Sequence, residues 1–166
     1  MPTSIDGYIA GEQGELDWLE SIPTEPGQDC GYGEFIKTID LLIMGRNTYE
    51  KVLSFDKWPY EGIRVIVLSK SLKTAKNVEL FSGDIHQLLD QVYAEGIRHV
   101  YIDGGKTVSS FLNAQLVDEM TLSIIPIILG AGIKLFDQIQ SRHQWPLLNA
   151  KSYSNGLVQS HYSINS

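Results

Sequence analysis

Three polar stretches of the sequence, each following an apolar run, carry the residue types that could hold a phosphate group. They are Gly45-Arg46-Asn47-Thr48, Ser69-Lys70-Ser71 and Asp103-Gly104-Gly105-Lys106-Thr107. Each stretch combines a hydroxyl group with a cation, and the glycines in two of them let a backbone approach a ligand closely. Hydroxyl groups, cations and the free N–H groups of a helix start are donors that bind phosphate. The pattern therefore indicates a phosphate-bearing ligand.

Arg46 and Lys70 indicate which phosphate ligand would suit these stretches. The arginine offers a planar fork of donors that matches a phosphate monoester, and Lys70 would add a second charge. NADPH, a dinucleotide with an extra ribose phosphate, would use all three stretches, whereas NADH would leave both cations underused. The alternative is that each stretch is an ordinary turn, since glycines commonly follow strands and the sequence lacks the G-x-G-x-x-G fingerprint.

Hydride transfer from such a cofactor needs a proton donor near the developing negative charge. Asp103 is the best candidate, because it directly precedes the glycine pair and so should face the ligand. A structural hydrogen-bonding role is the alternative for Asp103. Asp6 lies in an Asp-Gly pair and is expected to serve a turn, while Asp17 could be either a catalytic acid or a helix cap.

The elements that must position these residues follow from the hydrophobic periodicity. Strands are predicted over 41–45, 64–69, 99–105 and 119–129. Helices are predicted over 33–39, 47–53, 84–95 with Asp84 as N-cap, and 107–116. The tail is typical of a hairpin that turns at Asn155-Gly156. This order predicts an α/β fold: a mostly parallel sheet with helices on both faces and an antiparallel edge.

The predicted sheet brings the polar stretches together. Each follows a strand, and the carboxyl ends of parallel strands meet at one edge, where ligands of open α/β sheets bind. Two of the stretches lead directly into predicted helices, whose N-termini favour phosphate.

Composition excludes several classes of function. The 166 residues suit one domain over 1–166, and the formal charge of −7 argues against a nucleic-acid binder, which needs clustered cations. Cys30 is the only cysteine, and neither a signal peptide nor a bilayer-length apolar run occurs, so we expect a cytoplasmic protein without membrane contact. The four histidines are scattered, and no metal site is predicted.

Five blocks of the sequence resemble the dihydrofolate-reductase-like superfamily. They are "SIDGYIAGEQGELDWL" (4–19), "LLIMGRNTYE" (41–50), "VIVLSKSL" (65–72), "VYIDGGKTVSSFL" (100–112) and "LVDEMTLSIIPIILGAGIKLF" (116–136). The sequence is more similar to the reductase domain of the bifunctional riboflavin-biosynthesis protein and its stand-alone bacterial relatives. The resemblance implies a three-layer α/β/α fold with a twisted, mostly parallel sheet, a C-terminal antiparallel hairpin and NADPH across the strand ends.

The resemblance also implies roles for individual residues. Gly45, Arg46 and Thr48 should meet the pyrophosphate and the ribose phosphate, Ser69 and Lys70 should lie by the adenosine half, and Gly104, Gly105, Lys106 and Thr107 should wrap the pyrophosphate. Trp18 matches a position near the nicotinamide and substrate, although it could instead be a core aromatic. Asp103 matches an acidic position used for substrate. A homodimer through the sheet edge and the terminal hairpin is a further implication.

Two departures from the family pattern affect the expected function. Relatives usually have a full apolar strand before "SIDG", whereas here only Met1-Pro2-Thr3 precedes it. Either the first strand is missing, or another segment or subunit covers that edge. No zinc deaminase motif occurs, so we do not expect the two-step bifunctional enzyme.

The expected function is an NADPH-dependent reductase of a small heterocycle, with the ribityl reduction of the riboflavin pathway as the first choice. Dihydrofolate or pterin reduction is the second, because Asp29 and Glu34 do not clearly match the helix carboxylate of the folate reductases. A nucleotide-binding protein without turnover is the third.

Overall fold

A computed structural model describes residues 1–21 and 29–164. The strands are β1 (Pro2–Ser4), β2 (Tyr8–Ala10), β3 (Leu41–Gly45), β4 (Arg64–Leu68), β5 (Glu79–Phe81), β6 (Val100–Asp103), β7 (Glu119–Ile125), β8 (Ile133–Lys134), β9 (Leu147–Ser152) and β10 (Val158–Ser163). The helices are α1 (Tyr32–Lys37), α2 (Arg46–Leu53), α3 (Ile85–Ala94) and α4 (Gly105–Asn113), with a 3-10 helix over Asp17–Ser21.

The chain divides into two compact units, and each is described separately. The central unit comprises Gly31–Thr107, and the terminal unit comprises Met1–Cys30 and Val108–Ser166. Among the described residues, no helix combines the length and the apolarity that crossing a bilayer requires.

The central unit contains a four-stranded sheet in the order β5-β4-β3-β6, and every pair in it is parallel. Residues 41–44 of β3 are fully buried, which explains why they form an unbroken apolar run instead of an alternating one. Leu42 and Met44 pack with Tyr49 and Val52 of α2 on one face of the sheet. This packing fixes α2 directly after β3, and with it the polar stretch that begins at Gly45.

Helix α3 has the caps that its sequence predicts. The Asp84 carboxylate accepts hydrogen bonds from the backbone N–H groups of His86 at 2.9 Å and Gln87 at 3.2 Å. Leu88 and Val92 form its buried side. The helix ends before Gly96, which has a φ of 95° that favours glycine.

The terminal unit contains a mixed sheet in the order β1-β7-β10-β9 and a separate β2-β8 pair. Strand β1 runs parallel to β7, while β7, β10 and β9 are antiparallel. The predicted hairpin is confirmed, since a turn joins β9 to β10. In this turn Gly156 has a φ of 86°, and Tyr153 N–H donates to the Leu157 carbonyl at 2.9 Å. The predicted α/β fold with a mostly parallel sheet and an antiparallel C-terminal hairpin is therefore confirmed.

Several predicted boundaries differ from the structure. Of the two alternatives for the start of the chain, a missing first strand does not apply, because the short β1 is present and pairs with β7. Strand β7 ends at Ile125, because Pro126 has no N–H to donate, and a tight turn follows in which Ile127 N–H bonds to the Ile125 carbonyl at 2.7 Å. Helix α4 begins at Gly105 rather than at 107 and ends at Asn113 rather than at 116.

Candidate functional site

The three polar stretches of the central unit lie at one edge of its parallel sheet. Met44 pairs with Asp103 of β6, and Gly45 pairs with Leu68 of β4. The residues that follow these strands, including Gly104 and Ser69, therefore emerge side by side. The predicted meeting of the strand ends is present in the structure.

Two glycines at this edge make room for threonines of the neighbouring turn. A Cβ atom on Gly45 would lie 2.9 Å from the Thr107 hydroxyl oxygen, and a Cβ on Gly104 would overlap the Thr48 hydroxyl. Gly104 also has a φ of 91°, which L side chains rarely adopt. The turns after β3 and β6 thus interlock. Sequence reasoning assigned these glycines to ligand approach and missed their packing role.

Arg46 lies exposed at the start of α2 and already has two protein partners. Its Nε donates to the Glu50 carboxylate at 2.6 Å, and its Nη1 donates to the Ser71 hydroxyl at 3.0 Å. Sequence reasoning missed Glu50, although the i,i+4 spacing from Arg46 is a recognisable ion-pair signal. These two contacts hold the guanidinium beside the turn after β4.

The turn after β4 is shaped by Ser69. The Ser69 hydroxyl oxygen accepts hydrogen bonds from Leu72 N–H at 3.1 Å and from Ser71 N–H at 3.3 Å. Lys70, which lies between Ser69 and Ser71 in the chain, is exposed. Ser69 therefore positions Lys70 and Ser71, in addition to any contact that it makes with a ligand.

The start of α2 leaves its first N–H groups without a side-chain cap. Its N-cap, Gly45, has extended backbone angles and no side chain to accept these bonds. Uncapped N–H groups, with the positive end of the helix dipole, favour an anion. The buried Thr107 and the exposed Lys106 lie in the first turn of α4 at the same edge. These donors fit the phosphates of a nucleotide.

Asp103 occupies the end of β6 and is partly buried. Its Oδ1 accepts a hydrogen bond from Gly104 N–H at 2.8 Å, and its Oδ2 accepts one from the Tyr60 hydroxyl at 3.3 Å. Burial raises the pKa of the Asp103 carboxyl, and these two hydrogen bonds oppose that rise. A larger fraction of Asp103 is therefore protonated near neutral pH than for an exposed aspartate.

Three phenol groups surround this carboxyl within the central unit. Burial and the charge of Asp103 together raise the pKa values of Tyr32, Tyr60 and Tyr101, so all three stay protonated. Phe35 packs edge-on against Tyr101, with ring centroids 5.1 Å apart. Tyr32 is 46% and Phe35 40% exposed, which leaves aromatic surface beside the acid. Sequence reasoning did not identify Tyr60 or Tyr101, because no local pattern marks them.

Trp18 lies in the terminal unit and is only 5% exposed. It packs with Ile125 and Leu157 in an apolar cluster, and its indole N–H has no hydrogen-bond partner in residues 1–21 and 29–164. This environment is that of a core aromatic, which was the alternative interpretation. Its predicted place near substrate stays a prediction.

Asp6, also in the terminal unit, has the structural role that its sequence predicts. Its carboxylate accepts hydrogen bonds from the Ser4 hydroxyl at 2.6 Å, from Leu129 N–H at 3.1 Å and from Gly130 N–H at 2.8 Å. The Ser4 hydroxyl is the main cause of a lowered Asp6 pKa, with the two N–H groups adding to it. Asp17 is exposed at the start of the 3-10 helix.

A parallel sheet with helices after its strands, phosphate-suited donors at its carboxyl edge and a C-terminal antiparallel hairpin define the dihydrofolate-reductase-like class of α/β proteins. Comparison with protein families makes the assignment specific, because the model of the RibD C-terminal domain matches residues 1–159. The chain belongs to this family.

Individual relatives agree with the family. A candidate riboflavin biosynthesis protein from Shewanella sp. PV-4 superposes with a TM-score of 0.93 at 37% identity, covering 98% of this chain and 95% of that one. The uncharacterised protein YwjB of Bacillus subtilis (strain 168) is 32% identical over 167 residues, which cover 98% of this chain and 94% of YwjB.

A more distant structure shows the fold alone. The diaminohydroxyphosphoribosylaminopyrimidine deaminase/5-amino-6-(5-phosphoribosylamino)uracil reductase of Thermotoga maritima superposes with a TM-score of 0.72 at 20% identity. The chain spans 54% of that protein. The family assignment therefore rests on the RibD C-terminal domain model and on the relatives above 30% identity, and this structure adds only the fold.

Proposed function

We propose that the protein is an NADPH-dependent reductase of a small heterocycle, of the kind that reduces 5-amino-6-(5-phosphoribosylamino)uracil. The observation that carries the proposal is the register of β3 with β4 and β6. That register brings cations and uncapped helix N–H groups to the same sheet edge as a partly buried acid.

The residues at this edge suit NADPH in charge and in donor type. Arg46, with Ser71 beside it and Lys70 next in the chain, would hold the extra ribose phosphate. The N–H groups at the start of α2, with Thr48 at its first turn, would meet the pyrophosphate from one side. Gly104, Gly105, Lys106 and Thr107 would meet it from the other side. The predicted role of Ser69 near the adenosine half remains part of the proposal.

The bound cofactor would supply a hydride, and Asp103 would supply the proton. Burial raises the pKa of the Asp103 carboxyl, which favours the protonated form that can donate. Gly104 N–H and the Tyr60 hydroxyl fix the carboxyl on two sides. The exposed faces of Tyr32 and Phe35 would stack on a planar ring and exclude water from the acid.

Dihydrofolate reduction ranks below this proposal for a structural reason. Folate reductases use a carboxylate on the helix that α1 matches. In α1 the available acid is Glu34, which is exposed and forms an ion pair with Lys37 at 2.6 Å. Glu34 therefore lies on the surface as half of a helical salt bridge.

Steady-state NADPH oxidation tests the proposal. The assay offers a phosphoribosylated aminopyrimidine and a pterin panel to the wild-type protein and to Asp103→Asn. We expect turnover of the aminopyrimidine by the wild type and a loss of at least about 100-fold in Asp103→Asn, the usual contribution of a general acid. Tight NADPH binding with no turnover of any compound would instead identify the protein as a nucleotide binder.

A further inference from the structure

Tyr60 combines a core ring with a hydroxyl at the candidate site. The residue is 7% exposed and belongs to the same apolar cluster as Leu42 and Val67. Its hydroxyl nevertheless donates to Asp103 Oδ2 at 3.3 Å, across 43 residues of sequence. A ring that only filled this space could be phenylalanine, whereas the buried Tyr60 hydroxyl needs a hydrogen-bond partner and has the Asp103 carboxylate as one.

A chain of aromatic rings fixes the place of the Tyr60 hydroxyl. The Tyr60 ring meets Trp58 edge-on at a centroid distance of 5.6 Å, and Trp58 meets Tyr49 edge-on at 6.4 Å. Tyr49 is anchored in turn, since its hydroxyl donates to the Lys76 carbonyl at 3.1 Å and accepts from Lys76 N–H at 2.8 Å. The edge-on contact with Trp58 thus holds the Tyr60 ring and leaves its hydroxyl little freedom to move, while the Tyr49 hydroxyl is satisfied separately by the backbone of Lys76.

The carboxyl of Asp103 is held on both oxygens. The backbone of Gly104 holds Oδ1, and that contact is built into the turn after β6. The side chain of Tyr60 holds Oδ2, and this is the contact that a substitution can remove without altering the backbone. Tyr32 and Tyr101 also interact with the Asp103 charge in the central unit, but Tyr60 is the one of the three phenols that is hydrogen-bonded to it.

We propose that Tyr60 is a positioning residue that orients the Asp103 carboxyl and tunes its affinity for a proton. The inference rests on the proposed reductase function, in which Asp103 is the acid. A donor to the carboxylate stabilises its charged form, so removal of the Tyr60 hydroxyl makes Asp103 easier to protonate. The 3.3 Å separation is long for an O–H···O bond, which predicts a modest effect.

The test compares Tyr60→Phe with Tyr49→Phe. Both variants remove a buried phenol hydroxyl from the same aromatic chain and keep the ring, but only Tyr60 contacts Asp103. The Asp103 carboxyl is titrated by carbon NMR in both variants and in the wild type, and the pH dependence of kcat/KM for NADPH oxidation is measured alongside. Thermal unfolding checks that each variant is folded.

We expect Tyr60→Phe to raise the Asp103 pKa, a change of a few-fold in its ionisation constant, and to shift the pH profile of kcat/KM in the same direction. KM for NADPH should stay unchanged, while kcat measured at acidic pH, where Asp103 is protonated, should fall because the carboxyl loses an orienting contact. Tyr49→Phe should change neither the Asp103 titration nor the pH profile. An unchanged Asp103 titration in Tyr60→Phe would overturn the inference. If no compound is turned over, the reductase proposal fails and the titration alone decides whether Tyr60 tunes Asp103.

Discussion

Burial in the central unit keeps water away from the charged form of Asp103, and this has a measurable effect on stability. Its pKa is raised by burial above the unfolded value, so the stability present at acidic pH is lost as pH rises through the folded-state pKa. Asp103→Asn removes the charge and keeps an oxygen that can accept from Gly104 N–H. We predict that it stabilises the protein at neutral pH by about 1.4 kcal/mol per unit of pKa shift, and not at acidic pH.

Thermal unfolding at both pH values measures this effect, with Asp6→Asn as the matched control. The pKa of Asp6 is lowered, chiefly by the Ser4 hydroxyl, so its charged form is the stabilising one. Asp6→Asn should therefore lower the unfolding temperature at neutral pH and have little effect under acidic conditions. A destabilised Asp103→Asn at neutral pH would mean that Asp103 has a structural role instead.

Arg46 should set the preference for NADPH over NADH. Arg46→Ala should weaken NADPH binding by about 10- to 100-fold, the range for a charge-assisted hydrogen bond, and leave NADH binding nearly unchanged. The control is Arg98→Ala, which removes an exposed arginine that packs over the Tyr93 ring at 4.0 Å. Calorimetric titration with both cofactors measures the difference, and equal losses for NADPH and NADH would show that Arg46 does not contact the extra phosphate.

A phosphate bound at Arg46 would compete with Glu50 for the same guanidinium. It pairs with Arg46 Nε at 2.6 Å on an exposed helix surface, where such a pair contributes little to stability. Glu50→Gln removes the competing charge while keeping a hydrogen-bond acceptor. We predict that it tightens NADPH binding a few-fold, at low salt above all, without changing the unfolding temperature. Weaker NADPH binding would show instead that Glu50 holds Arg46 in its binding position.

At the scale of elements, the turns after β3 and β6 pack closely where their glycines meet Thr48 and Thr107. Gly104→Ala introduces both a strained positive φ and an overlap with the Thr48 hydroxyl, whereas Gly45→Ala has an ordinary φ and only approaches Thr107. We predict that Gly104→Ala lowers the free energy of unfolding by about 1–3 kcal/mol and Gly45→Ala by less.

A double-mutant cycle separates the two causes. Thr48→Ala removes the overlapping hydroxyl. In the Thr48→Ala background, Gly104→Ala should therefore lower the free energy of unfolding by less, and the loss that remains measures the backbone strain. Urea unfolding gives each free energy. Equal costs for the two glycine substitutions, with no coupling to Thr48, would contradict the interlocking of the turns.

How far the sequence predicts the elements depends on whether their signals are local. Helix α3 is predicted well because Asp84 and Gly96 mark its ends, and the terminal hairpin because Asn155-Gly156 marks its turn. The short strands β1, β2 and β8 carry too few residues for any periodicity. The contact of Tyr60 with Asp103 arises only from the register of the sheet and the packing of a loop, neither of which a single sequence encodes locally.

At the scale of the whole molecule, the edge strand β9 is where the predicted homodimer would form. It ends the sheet of the terminal unit, and all six of its residues are exposed. Leu147 is 56% and Leu148 48% exposed, an arrangement that invites pairing with another chain unless it is covered. A second copy of this chain, placing its own hairpin against this edge, would cover these leucines.

We predict that the wild-type protein sediments as a dimer and that Leu148→Glu sediments as a monomer, because a charge on the apolar edge opposes its burial. Tyr93→Gln is the control, since Tyr93 is an exposed aromatic on α3 of the central unit. Sedimentation velocity over a range of concentrations measures the state of each protein. A wild type that stays monomeric at every concentration would remove the homodimer, and the exposed edge of β9 would then need another partner.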